Sequence, residues 1–466
     1  MNDRLKIALR FVALILIGSL IGFSPSAISV TENARKLRLA FAADDYSSGA
    51  EILFDLAEEN PWWTSLWESA GNAAYIGSDY STAKSAYEKA LEKNDLSTEG
   101  QIKLGQSYLQ LGEQELAIEI WQDLEESPQA LEDLALLHER NGEISRAIEV
   151  WHQYLLHSGD GSTPELIYQF GLLIAADTPP KSLPYLDQVR EEYPEASEIA
   201  EAIREAISEE PAYQYVTAGQ ALAAIGEWNL AGYAFDRAVA LRPDYQEAWL
   251  YLGEALQHLD GSDEEVLAAL EKGWALNEDS PMANLFLGLY WQRKGSHNTA
   301  IEYFQVVQEL WPTNADVRVE AGKSLAALGE LDSAYEEYQE AIDLDPLNGN
   351  YYNKLAEFCV QYDYQIKDIG LPASRIAVQF SPADEVSLDI MGQVLLALDD
   401  KLNGVKFFQL ALESNPRYAP AHYHLGIYYS ALNDVERAVY YLQQALLYSK
   451  NSALIDQAQR LLSNYQ

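Results

Sequence analysis

The sequence predicts an all-α fold that is built from a repeated pair of antiparallel helices. Three observations predict it: a glycine recurs about every 34 residues, small and bulky residues follow that glycine at fixed distances, and a proline ends most periods. Self-similarity at this period is typical of stacked helical hairpins rather than of a single globular core. The recurring glycines are Gly71, Gly105, Gly219, Gly253, Gly288, Gly322, Gly392 and Gly426.

The glycine and the residues that follow it predict where two helices touch. In one clear unit, Ala231 lies 12 residues after Gly219, Phe235 lies 16 after it and Ala238 lies 19 after it. Antiparallel helices approach closely only where side chains are small, and a bulky residue then fills the adjoining gap. The equivalent triplets in three other units are Ala300, Phe304 and Val307; Ala334, Tyr338 and Ala341; and Ala438, Leu442 and Ala445.

Glycine and proline also predict the turns. Gly226, Gly295 and Gly329 fall between the first and second helices of their units, where a positive φ is required and glycine adopts it without strain. A proline removes a backbone donor and restricts the residue before it, so it predicts the end of a second helix. Such prolines are Pro243, Pro312, Pro346, Pro382 and Pro416.

This pattern resembles the tetratricopeptide repeat. The full set of its positions occurs in the series Tyr215, Gly219, Leu222, Gly226, Ala231, Phe235, Ala238 and Pro243. The resemblance implies a right-handed superhelical solenoid of helix-turn-helix repeats, whose first helices line a concave surface where protein partners bind. About eleven units fit residues 61–450, after a degenerate unit at about 31–60. Local departures from the pattern occur at Ala135, Ala356, Gly370, Pro372 and Gly404.

Five segments are predicted along the chain, the first of them at residues 1–30. Residues 31–194 and 211–450 form an N-terminal and a C-terminal repeat array, residues 195–210 form a connecting helix, and residues 451–466 form a C-terminal capping helix. Five prolines in the stretch 177–211 interrupt the repeat and place the boundary there. Apolar residues on one side of the connecting helix predict that it docks between the arrays. They are Ile199, Ile203, Ala206 and Ile207.

Residues 1–30 predict export from the cytoplasm. A basic stretch with Arg4, Lys6 and Arg10 precedes an uncharged apolar run, and small residues near Ser29 offer a cleavage site. The uncharged run, residues 11–31, is also about long enough to cross a bilayer. The segment is therefore either a cleaved signal peptide or a retained N-terminal membrane anchor. Both alternatives place the repeats on the extracytoplasmic side, as a secreted or periplasmic chain or as a membrane-anchored one.

The charge balance restricts the partners. The chain has 72 acidic and 31 basic residues, which give a formal net charge of -41. This charge repels phosphate backbones and anionic membrane surfaces, so we expect no nucleic-acid binding and membrane contact only through residues 1–30. A protein partner that is basic, or that offers an amphipathic or extended segment, is compatible with it. The single cysteine, Cys359, excludes an intrachain disulfide and cysteine-rich metal sites.

No motif predicts catalytic, cofactor-binding or metal-binding residues. The stretch Gly322-Lys323-Ser324 matches the end of a phosphate-binding loop, but Val317 occupies the position where that loop needs its first glycine. Residues two apart on a helix point away from each other, so His422 and His424 do not predict a metal site. We therefore expect a protein without enzymatic activity and without cofactors.

Two sets of residues on the first helices of four units form a candidate partner-binding groove. One set lies three residues before the recurring glycine: Val216, Leu250, Leu285 and Val319. The other lies one residue after it: Gln220, Glu254, Leu289 and Lys323. Residues four apart share a helical face, so the sets form one stripe within residues 211–346. An exposed apolar stripe indicates an interface, whereas packing between repeats is the alternative use of the same residues.

The predicted function is a noncatalytic protein–protein interaction scaffold or adaptor on the extracytoplasmic side of the membrane. Two alternatives remain open. One is a receptor-like module that binds peptides or glycans, with stacking surfaces supplied by some of the 30 tyrosines. The other is an accessory subunit of a separately encoded envelope enzyme or export complex. Neither the identity of the partner nor the oligomeric state follows from the sequence.

Overall fold

The computed structural model describes residues 27–158 and 163–465, and this part of the chain contains helices and no strands. The predicted all-α fold is therefore confirmed. The chain divides into two compact units between Arg237 and Ala238, a boundary that falls inside one helix.

The described part of the first unit consists of one helix followed by helical hairpins. Its helices are α1 (Ala27–Ala42), α2 (Tyr46–Glu59), α3 (Ser65–Ile76), α4 (Tyr80–Glu92), α5 (Thr98–Gln110), α6 (Gln114–Gln122), α7 (Pro128–Arg140), α8 (Ile144–Ser158), α9 (Pro164–Asp177), α10 (Pro179–Gln188), α11 (Pro194–Ala206), α12 (Pro211–Ala224) and the start of α13 (Trp228–Leu241).

The second unit contains the rest of α13 and the helices that follow. They are α14 (Gln246–His258), α15 (Asp263–Leu276), α16 (Pro281–Arg293), α17 (His297–Leu310), α18 (Ala315–Ala327), α19 (Leu331–Leu344), α20 (Gly349–Gln361), α21 (Leu371–Phe380), α22 (Glu385–Ala397), α23 (Lys401–Ser414), α24 (Ala419–Ala431), α25 (Val435–Tyr448) and α26 (Ser452–Leu462). A π-helix at Ile366–Gly370 precedes α21 and a 3₁₀ turn at Ser463–Tyr465 follows α26.

Consecutive helices pack as hairpins. In the second unit the most extensive contacts join α14 to α15, α16 to α17, α18 to α19, α22 to α23 and α24 to α25. A short turn links the two helices of each pair, so they run antiparallel. Each pair then contacts the next one along the chain. Contacts between sequence neighbours of this kind are the basis of a repeat array.

The glycine in the first helix lies directly against the bulky residue of the second helix. A Cβ atom built on Gly219 would lie 2.5 Å from the Phe235 ring, and one built on Gly392 would lie 2.5 Å from the Phe408 ring. Both rings are almost completely buried and cannot swing into solvent. The predicted role of this glycine is therefore confirmed, because a side chain at its position would overlap the ring.

The turn between the first and second helices contains a residue with positive φ. Gly226, Gly295 and Gly329 have φ values of 87°, 74° and 83°, as predicted. In other units a polar residue adopts the same conformation at the equivalent position, seven residues after the packing position of the first helix. These residues are Ser78, Asp260, Asp363, Asp399 and Asn433. Asn and Asp are the residues other than glycine that adopt this region most readily.

The predicted prolines mark the ends of second helices. The helices α13, α17, α19, α21 and α23 end at Leu241, Leu310, Leu344, Phe380 and Ser414, in each case two residues before a proline. These endings confirm the prediction that proline closes the second helix, since the residue before a proline disfavours the helical conformation.

The repeat is irregular before α21. Gln365 has a φ of 42°, and the π-helix that follows it leads directly into α21. Gly370 stands where the repeat usually has alanine, and a Cβ atom built there would lie 2.9 Å from the Cβ of Cys359. Pro372 lies in the first turn of α21, where its missing N–H removes no helical hydrogen bond. The departures predicted here are thus accommodated at a helix start.

The predicted connecting helix corresponds to α11, which is shorter than the predicted range of 195–210. It ends at Ala206, and residues 207–210 form a turn before α12. Ile199, Ile203 and Ala206 are buried, whereas Ile207 lies beyond the helix end and is exposed. Within the first unit, α11 packs against α10 and α12. The division of the repeats into two arrays at this helix stays a prediction.

The two ends of the chain differ in what the structure describes. The predicted export segment, residues 1–30, lies almost entirely outside the described residues and stays a prediction. Across residues 27–158 and 163–465, none of the helices combines the length and the apolar composition that a bilayer-spanning helix needs. At the other end, α26 packs against α25 and α24 and buries Ala458, and its role as a capping helix stays a prediction.

Candidate partner-binding surface

The eight residues of the predicted stripe lie on first helices in both compact units. Val216 and Gln220 lie on α12 in the first unit. The other six lie in the second unit, where Leu250 and Glu254 are on α14, Leu285 and Leu289 are on α16, and Val319 and Lys323 are on α18. Helix α16 contacts both α14 and α18, so the structure brings these six residues onto three adjacent helices.

Three of the four residues that precede the glycines are packing residues. Val216, Leu250 and Val319 are buried, and Leu250 is 0% exposed. Leu250 lies against the second helix of its own hairpin, where a Cβ atom built on Gly273 would come within 2.7 Å of Leu250 Cδ2. Packing inside the array therefore accounts for the apolar character of these three positions.

Leu285 and Leu289 on α16 are different because both are only half-buried. Their inner sides pack against a core cluster that includes Phe304 and Ala321. Their outer sides remain open to solvent. These two leucines are therefore the accessible apolar part of the stripe in the second unit.

Glu254 is the centre of a polar network beside the two leucines. Arg293 Nη1 and Nη2 donate to the two carboxylate oxygens of Glu254 at 2.8 and 2.7 Å, in the paired geometry that arginine favours with carboxylates. Gln257 Nε2 donates to the same carboxylate at 3.1 Å, and His258 Nε2 lies 3.4 Å from it. The spacing from the recurring glycine does not include Arg293, although Arg293 lies four residues after Leu289 and so continues the stripe.

A second polar network joins α16 to α18. Gln292 Nε2 donates to the backbone oxygen of Glu320 at 2.8 Å and to Ser324 Oγ at 2.9 Å. Lys323 Nζ donates to Glu320 Oε1 at 2.6 Å. The ammonium of Lys323 is therefore paired within its own helix, and an ion pair at this degree of exposure contributes little to stability. A partner that carries a carboxylate would compete with Glu320 for this lysine.

The motifs that suggest chemistry have structural roles. Gly322, Lys323 and Ser324 lie inside α18, with Gly322 against Tyr338, so they do not form a phosphate-binding loop. Cys359 is buried, and burial raises the pKa of its thiol to about 12, which keeps it protonated at neutral pH. Neither feature supplies a reactive group.

The two histidines on α24 have separate partners. His422 Nε2 lies 3.0 Å from the backbone oxygen of Pro416, and burial lowers the pKa of His422. His424 Nδ1 lies 2.8 Å from the buried carboxylate of Asp389. Among the residues that the structure describes, no group of three or more His, Cys, Asp or Glu side chains is arranged to hold a metal ion.

Comparisons with protein families identify the repeat. A family model for the tetratricopeptide repeat matches residues 69–130, and a second model for the same repeat matches residues 315–346 and 419–452. The matched segments fall in both compact units and coincide with helical hairpins of the structure.

Two curated relatives are similar over part of their length. A stretch of 121 residues is 27% identical to anaphase-promoting complex subunit 3 of Dictyostelium discoideum and covers 26% of this chain. A stretch of 219 residues is 22% identical to anaphase-promoting complex subunit CDC16 of Saccharomyces cerevisiae and covers 47% of this chain. The chain spans only 12% and 22% of the length of these two relatives.

Two solved structures are also similar to this chain. The crystal structure of yeast Tom70 has a TM-score of 0.45 at 12% identity, and the match covers 94% of this chain and 97% of Tom70. A tetratricopeptide repeat protein from Parabacteroides merdae has a TM-score of 0.45 at 11% identity and covers 54% of this chain and 98% of that chain. On the helical hairpins and the matching family models, this chain is an all-α protein with tetratricopeptide repeats at residues 69–130, 315–346 and 419–452.

Proposed function

We propose that this protein is a noncatalytic scaffold that holds protein partners on the extracytoplasmic side of the membrane. The observation that carries the proposal is that packing residues and accessible residues occupy different positions of the repeat. Its glycines, alanines and aromatic rings are committed to packing, and the accessible positions of the first helices are left to vary between units. The two anaphase-promoting complex relatives are by name subunits of a multiprotein assembly, which supports a scaffold role.

In this proposal the groove of the second unit contacts a partner through Leu285 and Leu289. The half-buried state of these leucines leaves apolar surface that a partner side chain can cover. The Glu254–Arg293 pair and Lys323 flank the leucines and would fix the orientation of a polar backbone or side chain. Leu250 and Val319 are buried one helical turn before Glu254 and Lys323, as Val216 is before Gln220 on α12 in the first unit.

Capture of partners by a pair of matched variants tests the groove. Leu289→Glu places a charge in the groove, and Gln305→Glu places the same charge on an exposed position of the second helix α17. We expect the wild type and Gln305→Glu to capture proteins that Leu289→Glu does not capture. Circular dichroism verifies that both variants are folded at the assay temperature, and a somewhat lower melting temperature of Leu289→Glu is expected because the inner side of Leu289 packs against the core. Equal capture by both variants would rule out the groove. Leu250→Asp is unsuitable, because a buried charge is expected to unfold the hairpin.

Export is tested separately from binding. A reporter enzyme that folds only in an oxidising compartment, fused after residue 466, is active only if the repeats leave the cytoplasm. Sequencing of the mature amino terminus then distinguishes a cleaved signal from a retained anchor. An inactive reporter on a stably expressed chain would exclude the extracytoplasmic location and leave the scaffold role in place.

A further inference from the structure

Four consecutive turns of the second unit share one edge of the helical array. They are residues 276–281, 309–316, 343–350 and 379–386, and each connects a second helix to the first helix of the next hairpin. Because successive helices are antiparallel, all turns of this type lie at the same edge, and the turns within hairpins lie at the opposite edge. We call the four turns together the acidic edge.

The acidic edge carries negative charge only. Each of its four turns contains two acidic residues and no Lys, Arg or His. The turns on either side of it are different, because Arg242 follows α13 and Arg417 follows α23. The basic residue closest in sequence, Arg318, lies two residues beyond the second turn and is already paired with Glu337 at 3.2 Å. The charge of the edge therefore has no cationic counterpart within these turns.

The helix dipoles do not change the negative sign of the electrostatic potential at the acidic edge. The carboxyl end of a second helix and the amino end of the next first helix meet in each turn, so their partial charges of opposite sign largely cancel. The carboxylates therefore determine the potential at this edge. Several of them accept hydrogen bonds from neutral groups, as Asp316 Oδ1 does from Tyr351 OH at 2.9 Å, and this leaves their charge uncompensated.

The same turns expose large apolar side chains. Leu347 is 77% exposed and Trp311 is 49% exposed. Leu276, Leu310, Leu344 and Phe380, at the last position of four second helices, are also exposed. Neighbouring turns are in contact, since the Tyr352 and Phe380 rings are 5.9 Å apart and Tyr351 reaches Asp316. Single exposed leucines are common, but a row of them along one edge indicates an interface.

We propose that the acidic edge docks a basic amphipathic helix of a partner protein. Contacts between neighbouring turns, such as Tyr351 with Asp316 and Tyr352 with Phe380, keep the exposed apolar residues close enough for one partner helix to cover several of them. A helix with leucine at every seventh position presents an apolar side chain about every 10.5 Å along one face and leaves the flanking positions for basic residues. Lysine or arginine beside each apolar residue would neutralise the carboxylates. A second copy of this chain is a poor occupant, because both copies carry a formal charge of -41.

The acidic edge is distinct from the groove of the proposed function. Each of the two proposals can therefore be disproved without affecting the other. The probe is a labelled synthetic helix of about three heptads, with leucine at every seventh position and lysine around it. A control peptide has the same composition with its leucines dispersed around the helix. Binding to the full chain is measured by fluorescence anisotropy at two salt concentrations.

Three sets of variants locate the binding. Trp311→Ala with Leu347→Ser removes exposed apolar surface, and Glu309→Gln with Asp343→Asn and Asp345→Asn removes charge. Leu447→Ser is the matched control, because Leu447 is 68% exposed near the end of α25 and lies outside the four turns of the acidic edge. We expect the first two sets to weaken binding about tenfold or more, and the charge set also to reduce its salt dependence. We expect Leu447→Ser and the groove variant Leu289→Glu to bind like the wild type.

Several results would overturn the proposal. They are equal binding of the two peptides, unchanged binding to both edge variants, or loss of binding with Leu289→Glu alone. Concentration-dependent dimerisation that the edge variants abolish would identify a second copy as the occupant instead. The substituted side chains are exposed, so the folded state is expected to persist, and circular dichroism of each variant verifies it.

Discussion

At the scale of single residues, the turn at Gly295 isolates a purely conformational contribution to stability. Gly295 has a φ of 74°, and a Cβ atom built there would meet nothing within 4 Å. Gly295→Ala is therefore expected to destabilise the second unit by about 1 kcal/mol through backbone strain alone. Gly295→Asn is expected to cost less, since Asn433 adopts this conformation at the equivalent position. Urea unfolding measures both, and an equal loss for the two variants would contradict this account.

At the scale of elements, the contact between a first-helix glycine and its partner ring sets how closely two helices approach. A Cβ atom on Gly392 would lie 2.5 Å from the Phe408 ring, but one on Gly322 would lie 3.2 Å from Tyr338. Gly392→Ala is therefore expected to cost about 1–3 kcal/mol, and Gly322→Ala less, in thermal or urea unfolding.

The double variant Gly392→Ala with Phe408→Ala tests the cause of that cost. Removal of the ring should make room for the added methyl group. The double variant is therefore expected to lose less free energy of unfolding than the sum of the losses in the two single variants. Strict additivity would show that the glycine is required for the helix backbone and not for the contact.

A polar cluster in the first unit joins four helices. Ser145 Oγ on α8 and Tyr233 OH on α13 donate to the Asp177 carboxylate at the end of α9, each at 2.8 Å. Tyr215 OH on α12 donates to the backbone oxygen of Asp177 at 2.5 Å. Burial raises the pKa of Asp177, but hydrogen bonds from Ser145, Tyr233 and Thr178 and the charge of Arg237 outweigh it and leave the pKa below its ordinary value.

This cluster predicts an acid-dependent loss of stability. Because the pKa of Asp177 is lowered on folding, its stabilising contribution is complete above the unfolded pKa of about 3.9 and is lost as pH falls through the folded value. Asp177→Asn is therefore expected to lower the melting temperature at pH 7 and to differ less from the wild type as the pH falls below about 4. Asp456→Asn, at an exposed position of α26, is the control. A constant difference across this range would exclude the ionised carboxylate as the source.

The sequence predicts elements better than it predicts surfaces, for a physical reason. Gly219 and Phe235 touch within one hairpin, so their contact follows from a fixed spacing along the chain. The burial of Leu250 and the half-burial of Leu285 depend on neighbouring helices, although both residues hold the same place in the repeat. The hydroxyl groups of Ser145 and Tyr233 lie 2.9 Å apart although the residues are 88 positions apart in the sequence, and no spacing indicates this contact. Local packing is therefore predictable, whereas contacts that depend on an irregular unit are not.

At the scale of the whole molecule, charge repulsion opposes folding. With 72 acidic and 31 basic residues, 41 carboxylates have no cationic counterpart even if every basic residue is paired. Most of the observed ion pairs are partly exposed, and such pairs contribute about 0–1 kcal/mol each to stability. Screening of their attraction by salt therefore lowers the stability of the folded state only slightly. Screening of the repulsion should therefore exceed screening of the attractions.

We accordingly expect the melting temperature to rise as NaCl increases from about 0.01 to about 0.15 M, over which the Debye length falls from about 30 to about 8 Å. The variant with Glu309→Gln, Asp343→Asn and Asp345→Asn removes three of the unpaired charges at exposed positions. It should melt at a higher temperature than the wild type in low salt and gain less from added salt. Differential scanning calorimetry measures both quantities. A melting temperature that falls with salt would show that the attraction of the ion pairs outweighs the repulsion. A triple variant that is no more stable than the wild type in low salt would show that the acidic edge contributes little of the repulsion.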